Sequence, residues 1–370
     1  QRLLQSAFFD VEQIDVMKGP QSLYFGKAAS AGVLSLRSAN PTPEWEYGIK
    51  SSYEFEEEGR TVGGFVSGPI SETLGVRIAA EWQDIDKWVE IAPGNPTARP
   101  DRGLENVISR VTFHWTPNED FVANLKINYN TQRSESLNSH LDIFCGGDGL
   151  PDPSVLLGGA LGSTPGIDLF SPSHDCDIDD GRFVGPDAHP LIDTIPTGSP
   201  GEGRNIFLAY NDTDTFFARL QLDYTLSDNF NLTALLGYVD LDNEYNDTFN
   251  STGILPDGKA AGLSAPFGNQ LEQTTAEVRL ASSFDGPFNF QVGAFWETRD
   301  IGHQAVQNAF NPTLLAPLAP FVGPLGAFLG PDPQTGFTFD WLADRPIEAD
   351  AVSIFVSAQY DISEKWELSG

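Results

Sequence analysis

Apolar and polar residues alternate one by one along most of the chain after residue 45. In residues 215–226 every second position is apolar, and the positions between them are mostly polar. A turn signal follows at residues 227–229, and the same alternation resumes over residues 230–238. A period of two residues is typical of a β-strand with one apolar face, so the pattern predicts a series of antiparallel strands.

The alternation recurs in further segments along the chain. The clearest of them lie at residues 76–83, 107–115, 121–130, 288–297 and 352–360. We expect about ten such strands and the start of another, each with the length of a strand that crosses an outer membrane. A soluble antiparallel sheet with one solvent-exposed face would show the same alternation. The pattern alone therefore fits both a membrane barrel and a soluble sheet.

Two further features favour the membrane barrel over the soluble sheet. Aromatic residues recur near the predicted strand ends, where membrane barrels have their interfacial girdles: Trp88, Trp115, Phe121, Tyr129, Phe230, Phe288, Trp296 and Trp366. Short turns are predicted at residues 71–75, 117–120, 227–229, 285–287 and 363–365, and longer loops at 92–103, 134–211, 247–270 and 303–347. Short turns at one rim and long loops at the other are typical of outer-membrane barrels.

Composition narrows the classes of function. The 370 residues include 52 acidic and 21 basic side chains, which give a formal net charge of −31. This excess argues against nucleic-acid binding and against docking on an anionic membrane surface. The sequence has no run of about 18 apolar residues that would predict a transmembrane helix. Because the chain begins and stops inside apparent structural elements, we expect it to be a fragment of a longer precursor.

The opening segment, residues 11–38, differs from the repeating pattern that follows it. It reads as a strand, a break at Gly19 and Pro20, a stretch of small residues and a second strand. The string VEQIDVMKGPQSLYFGKAASAGVLSLRSANP resembles the end of the plug domain of TonB-dependent outer-membrane receptors. The residues that carry the resemblance are Ile14, Val16, Lys18, Gly19, Pro20, Tyr24, Gly26, Gly32 and Val33. Asp15 stands where the family usually has Glu, and Ala31 stands where a second Gly is more usual.

The resemblance implies an all-β fold and a domain order. Residues 1–40 would be the C-terminal end of a plug domain, and residues 41–370 would be the first half of a transmembrane antiparallel β-barrel. The barrels of this family have 22 strands, of which this chain would hold about 10–11. Half a barrel cannot close at full size, so we expect a curved sheet with two unpaired edges or a forced smaller closure.

The resemblance also implies a function. Family members import a scarce ligand across the outer membrane of a Gram-negative bacterium, most often a ferric siderophore. The implied partners are TonB, through a plug segment outside this sequence, the outer-membrane lipid and the small extracellular ligand. The resemblance implies no cofactor and no catalytic residue, and the net charge argues against nucleic acid as a partner.

Charged residues on the polar side of the strands are expected to line the barrel lumen. They are Arg77, Glu81, Arg110, Lys126, Arg219, Asp223, Glu277, Arg279 and Glu297. We expect some of them to pair with the plug and most of them to be solvated residues of the wall. Lys18 would either meet carboxylates of the plug or wall or remain a solvated lysine.

The predicted loop at residues 134–211 is the best candidate for ligand capture. It contains the only two cysteines, Cys145 and Cys176, and in an exported protein such a pair predicts a disulfide. Carboxylates that could bind Ca²⁺ flank the second cysteine: Asp175, Asp177, Asp179 and Asp180. They lack the EF-hand spacing, so we favour a solvated acidic loop and predict no metal site. The apolar, proline-rich loop at 303–347 would cover the barrel mouth, contact a hydrophobic ligand or partner, or pack on itself.

Alternative functions have less support in the sequence. P-loop, H-E-x-x-H and G-x-S-x-G motifs are absent and the five histidines are scattered, so we do not expect an enzyme. The cargo stays open among ferric siderophores, haem, cobalamin and oligosaccharides, because specificity lies in variable loops. The alternative class is a non-transporting outer-membrane adhesin or structural β protein, in which a plug-like segment would have no use.

Overall fold

A computed structural model describes the chain outside residues 1–8, 20–30, 57, 87–89, 92–102, 135–180, 183–199, 205–209, 249–261, 311–338 and 364–365. Its strands are β1 (Val11–Lys18), β2 (Gly32–Ser38), β3 (Glu46–Tyr53), β4 (Arg60–Pro69), β5 (Leu74–Ile85), β6 (Glu90–Ile91), β7 (Leu104–Asn118), β8 (Phe121–Ser134), β9 (Gly181–Arg182), β10 (Tyr210–Ser227), β11 (Phe230–Thr248), β12 (Gly262–Ser282), β13 (Phe288–Phe310), β14 (Phe339–Asp344), β15 (Ile347–Ser363) and β16 (Trp366–Ser369). Within the described residues no helix is long and apolar enough to cross a membrane.

One antiparallel sheet contains most of these strands. Its order is β3-β4-β5-β7-β8-β10-β11-β12-β13-β15-β16, so each strand pairs with the next long strand of the chain, and β14 pairs with β13 beside this path. The prediction of about ten strands and the start of another is therefore confirmed. The path does not close: among the described strands, β3 and β16 each have one neighbour, as expected for an open sheet with two edges.

One face of this sheet is apolar and exposed. A single row of paired residues crosses eight strands on this face: Val76, Phe113, Leu125, Leu220, Leu236, Ala276, Trp296 and Val352. Leu236 is 49 % exposed and Val352 is 75 % exposed. No second layer of described residues covers this row, so it has the apolar outer band of a membrane barrel and differs from a soluble core.

Aromatic side chains border the apolar band on both sides. On four strands two aromatic residues of this face lie eight positions apart: Phe121 and Tyr129, Phe216 and Tyr224, Phe230 and Tyr238, Phe288 and Trp296. At about 3.4 Å per residue the two borders are about 27 Å apart along each strand, or about 21 Å along the normal for a strand tilted by about 40°. This spacing is close to the height of about 25 Å of an outer-membrane barrel's apolar band.

The opposite face is polar and carries the first strand pair. Its register row, one position away from the apolar row, contains Arg77, Thr112, Lys126, Arg219, Gly237, Thr275, Glu297 and Ala351. The antiparallel pair β1–β2 connects to this face through the preceding Phe9, which is buried against Ala79 and Ile108 with Phe65 packed beside them. We call the β1–β2 pair with residues 9–10 and 39–40 the plug tail.

Several strands are longer than the alternation predicts. The loop predicted at residues 247–270 overlaps two strands, because β11 continues to Thr248 and β12 begins at Gly262. The loop predicted from residue 303 likewise begins later, because β13 continues to Phe310, and β14 lies before residue 347. At these ends both faces of the strands carry polar residues, so the alternation of apolar and polar positions no longer marks a strand. The backbone hydrogen bonds between the strands nevertheless continue.

A ring packed over a glycine gives a stability prediction for the polar face. A Cβ atom added at Gly293 would overlap the Phe355 ring, whereas one added at Gly286, in the turn before β13, would meet no atom within 4 Å. Overpacking of this kind costs about 1–3 kcal/mol. We therefore expect Gly293→Ala to lower the free energy of unfolding of the full-length protein by about that amount in urea titrations in lipid vesicles. The control Gly286→Ala should stay within about 0.5 kcal/mol of wild type, and equal effects would contradict the prediction.

Candidate functional site

The plug tail is a hairpin-like pair whose base is closed by the backbone. Strand β1 pairs with β2 from Lys18 opposite Gly32 to Val11 opposite Ser38, and the Ala39 amide donates to the Asp10 carbonyl at 3.0 Å. Gly32 has a φ of +144°, and a Cβ there would lie 2.6 Å from the Met17 carbonyl oxygen. Glycine is thus required at this position of the motif by both backbone conformation and space.

Asp10 forms the central contact between the plug tail and the wall. Its carboxylate accepts hydrogen bonds from Arg77 Nη2 at 2.6 Å and from Arg77 Nε at 3.0 and 3.2 Å. Both side chains are only 9 % exposed, and the guanidinium group of Arg77 lies 3.8 Å from the centre of the Phe65 ring. A bidentate pair of this kind is charge-assisted and geometrically specific, so it fixes the position of the plug tail on β5.

Arg110 on β7 continues this contact. Its Nη1 donates to the carbonyl oxygens of Phe9 at 2.6 Å and Asp10 at 3.3 Å, and its Nε donates to Asn128 on β8. The side chain of Arg110 is buried next to that of Arg77. Two guanidinium groups therefore share one carboxylate and two backbone carbonyls, which makes Asp10 the main source of compensating charge at this position.

Lys126 on β8 contacts the other strand of the plug tail. Its ammonium group donates to the Ser38 carbonyl at 2.7 Å, to the Ser38 hydroxyl at 2.9 Å and to the Ala39 carbonyl at 3.5 Å. Nearby, the side-chain amide of Asn124 donates to Asn40 at 3.0 Å. Strands β5, β7 and β8 thus each provide a side chain that binds the plug tail.

A cavity of about 790 Å³ lies between strand β2 of the plug tail and strands β7, β8 and β10. The charged residues of its lining are Arg37, Arg110, Lys126, Arg219 and Asp223. Serine, threonine, asparagine and glutamine provide most of the remaining polar lining. The volume is in the range of small-molecule sites.

All nine predicted wall residues lie on the face that carries the plug tail, and three of them form hydrogen bonds to it among the described contacts. Those three are Arg77, Arg110 and Lys126. The others contact their neighbours on the wall: Glu81 pairs with Lys50, Glu277 with Arg279 and Glu297 with Arg299, Arg219 donates to Gln221, and Asp223 accepts from Gln221 and Thr233. The role of each as a lumen residue stays a prediction.

The residues of the plug motif divide between described and undescribed positions. Ile14, Val16 and Lys18 lie on β1 and are exposed, Gly19 has a φ of +86°, and Gly32 and Val33 begin β2. The described residues give Lys18 no carboxylate partner within 4.0 Å. Pro20, Tyr24 and Gly26 lie outside the described residues.

The predicted features of the long loop also lie outside the described residues. They are the disulfide between Cys145 and Cys176 and the weak calcium candidates Asp175, Asp177, Asp179 and Asp180. Trp88 of the predicted girdle and most of the apolar loop after residue 310 have the same status. In the part of the chain that is described, no group of three or more His, Cys, Asp or Glu side chains could hold a metal ion.

Asp10 and the carbonyl groups of Phe9, Ser38 and Ala39 are the contact residues that sequence reasoning missed. Asp10 directly precedes β1 and has a φ of +50°, a conformation that Asp tolerates better than most residues. In a chain with 52 acidic side chains, a single carboxylate gives no sequence signal that it will be the buried one.

The fold of the described residues matches that of solved outer-membrane receptors. The ferric yersiniabactin uptake receptor FyuA from Yersinia pestis aligns with 97 % of this chain and 51 % of its own length, at a TM-score of 0.54 and 12 % identity. The ferripyoverdine receptor of Pseudomonas aeruginosa aligns with 98 % of this chain and 41 % of its own length, at a TM-score of 0.57 and 11 % identity. The chain has the fold of a TonB-dependent outer-membrane receptor.

Sequence comparison gives a shorter match of the same kind. An iron-regulated outer membrane virulence protein of Vibrio cholerae is 24 % identical over 112 residues, which are 29 % of this chain and 16 % of that protein. No family model matches the sequence. The chain thus spans about half or less of the length of the receptors whose fold it shares. Of the two solved proteins, one is an uptake receptor for ferric yersiniabactin and the other a receptor for ferripyoverdine.

Proposed function

We propose that this chain is part of a receptor that imports a scarce ligand across the outer membrane of a Gram-negative bacterium with energy from TonB. The observation that carries the proposal is the plug tail bound to the polar face of a sheet whose other face is an exposed apolar band. A barrel of 22 strands is wide enough to leave an open pore. A bound plug would close this pore, so a ligand could pass only when the plug moves.

A ferric siderophore is the cargo that the similar proteins favour. The solved receptors that share the fold are receptors for ferric yersiniabactin and ferripyoverdine, and the related Vibrio cholerae protein is iron-regulated. Binding would take place at the long-loop rim, and movement of the plug would let the ligand pass through the lumen. No bond of the ligand is made or broken in this process, so the protein is a transporter and not an enzyme.

Growth of a receptor-deletion strain on single nutrient sources tests this function. We expect the strain to lose growth on at least one ferric siderophore as the only iron source, and to keep growth on all carbon sources tested. Inactivation of TonB should have the same effect on that siderophore. A defect on an oligosaccharide alone would show that the cargo is wrong. Growth independent of TonB would favour a non-transporting surface protein.

A further inference from the structure

A notch of about 260 Å³ lies on the apolar face of the sheet, where strands β5, β7 and β8 run side by side. Trp115 on β7 pairs with Leu74 on one side and with Ala123 on the other, and Leu222 on β10 follows Ala123 in the same row. Because Ala123 stands between the larger side chains of Trp115 and Leu222, the surface is indented at this position. The whole lining is apolar or aromatic: Leu74, Phe113, Trp115, Ala123 and Leu125.

The notch lies just inside the aromatic border at the short-turn end of the strands. Ala123 is two positions after Phe121, or about 7 Å along β8. The short turns of outer-membrane barrels face the periplasm, so this end of the apolar band would contact the phospholipid of the inner leaflet. An apolar cavity of about 150 Å³ binds benzene, so a notch of about 260 Å³ has room for a segment of a lipid acyl chain.

Three carboxylates lie directly beyond this border, at the level of the lipid head groups. Glu72 is in the turn between β4 and β5, and Glu119 and Asp120 form the turn between β7 and β8. The Thr116 amide donates to the Thr73 carbonyl at 2.8 Å, which holds the two turns side by side. All three acidic residues are exposed, and among the described residues none of them has a basic partner within 4.0 Å.

The charge around the notch distinguishes between classes of lipid. Among the described residues of β5, β7, β8 and β10, the one basic side chain on the apolar face is Arg133. It lies ten positions from Ala123, at the long-loop end of β8, where it binds Asp214 at 2.7 Å. Anionic lipids such as cardiolipin are bound by basic pockets, and the described strands form none at the short-turn end of this face. Exposed carboxylates are instead complementary to an ammonium head group.

We propose that the notch and the acidic turns beside it form one binding site for a phospholipid of the inner leaflet with an ethanolamine head group. One acyl chain would lie in the notch against Trp115 and Ala123, and the ammonium group would lie among the carboxylates of Glu72, Glu119 and Asp120. The site is on the lipid side of the sheet, so this inference depends neither on the cargo nor on TonB.

Native mass spectrometry of the full-length receptor in a nonionic detergent measures this binding. Phosphatidylethanolamine and phosphatidylglycerol with the same oleoyl chains are titrated in parallel, so that the two lipids differ in the head group alone. We expect phosphatidylethanolamine to bind at least about fivefold more tightly, because its ammonium group gains ion pairs that the glycerol head group cannot form. The preference should fall at high salt. A preference for phosphatidylglycerol would overturn the proposal.

Ala123→Leu fills the notch, and Ala234→Leu is its matched control. Ala234 pairs with Leu222 in the same register row of the same face, but it lies outside the notch lining. We expect Ala123→Leu to weaken the binding of both lipids at least about fourfold, since each methylene group kept out of the notch corresponds to about this factor. Ala234→Leu should change binding less than about twofold. Equal effects would mean that lipid covers the face without a site at the notch, and would overturn the proposal.

Neutral side chains in the turns test the head-group contact separately from the chain contact. The triple variant Glu72→Gln, Glu119→Gln and Asp120→Asn alters exposed turns and leaves the notch lining unchanged. We expect it to reduce the preference for phosphatidylethanolamine to less than about twofold. Asp285→Asn, in the turn before β13, should keep the wild-type preference. A preference that survives the triple substitution would overturn the proposal, whereas the import function is tested by the growth experiment alone.

Discussion

The substitution Asp10→Asn is expected to release the plug tail from the barrel wall of the full-length receptor. It removes the carboxylate that Arg77 binds in a bidentate contact, and it leaves the guanidinium groups of Arg77 and Arg110 close together with little access to water. Loss of one partner of a buried ion pair costs about 3–5 kcal/mol. We expect hydrogen exchange of the β1 and β2 amides to become at least about 100-fold faster, since 1.4 kcal/mol corresponds to about a factor of ten.

A double-mutant cycle separates the ion pair from other effects of the substitutions. Arg77→Gln in the Asp10→Asn background should cost less than Arg77→Gln alone, because the substitution then leaves no Asp10 carboxylate without its arginine and removes one of two adjacent guanidinium groups. The control is the pair of Arg60 and Asp86, which lie 3.5 Å apart with side chains 50 % and 51 % exposed. Arg60→Gln should change exchange of the plug tail by less than a factor of about five. Exchange in Asp10→Asn equal to that in Arg60→Gln would contradict the role of the buried pair.

The centres of the wall strands could be predicted because one face of each strand must be apolar. In β10 the alternation of Phe216, Leu220 and Tyr224 with Arg219 and Asp223 follows directly from an apolar outer band and a polar inner face. The same alternation placed Arg77, Arg110 and Lys126 on the polar face. This part of the fold depends on local sequence alone.

The ends of the strands and the plug contacts depend on information that is not local. Strand β12 begins at Gly262, eight positions before the predicted loop ends, since backbone pairing with β11 and β13 continues where both faces are polar. The pairing of Asp10 with Arg77 joins residues 67 positions apart. Period and composition identify which residues lie on the polar face of the sheet, but they do not identify which carboxylate will be brought to a given cation.

The apolar row gives a second prediction with a large effect. The cost of placing a charge in this row shows whether lipid covers that face of the sheet. Leu220 lies four positions from both Phe216 and Tyr224, which places it midway between the two aromatic borders. An arginine at the midplane of an outer-membrane barrel costs about 2–4 kcal/mol, and one near the interface costs about 0–1 kcal/mol. We expect Leu220→Arg to lower the free energy of unfolding of the full-length receptor in lipid vesicles by the larger amount.

Leu226→Arg is the matched control, because it makes the same change on the same face of the same strand and differs only in depth. Leu226 lies beyond Tyr224 at the short-turn rim and is 50 % exposed. Urea titrations of both variants should therefore give a difference of about 2 kcal/mol or more between the two positions. A cost independent of depth would mean that water or protein, not a lipid layer about 25 Å thick, covers the apolar face. The outer-membrane location would then be wrong even though the strand order is right.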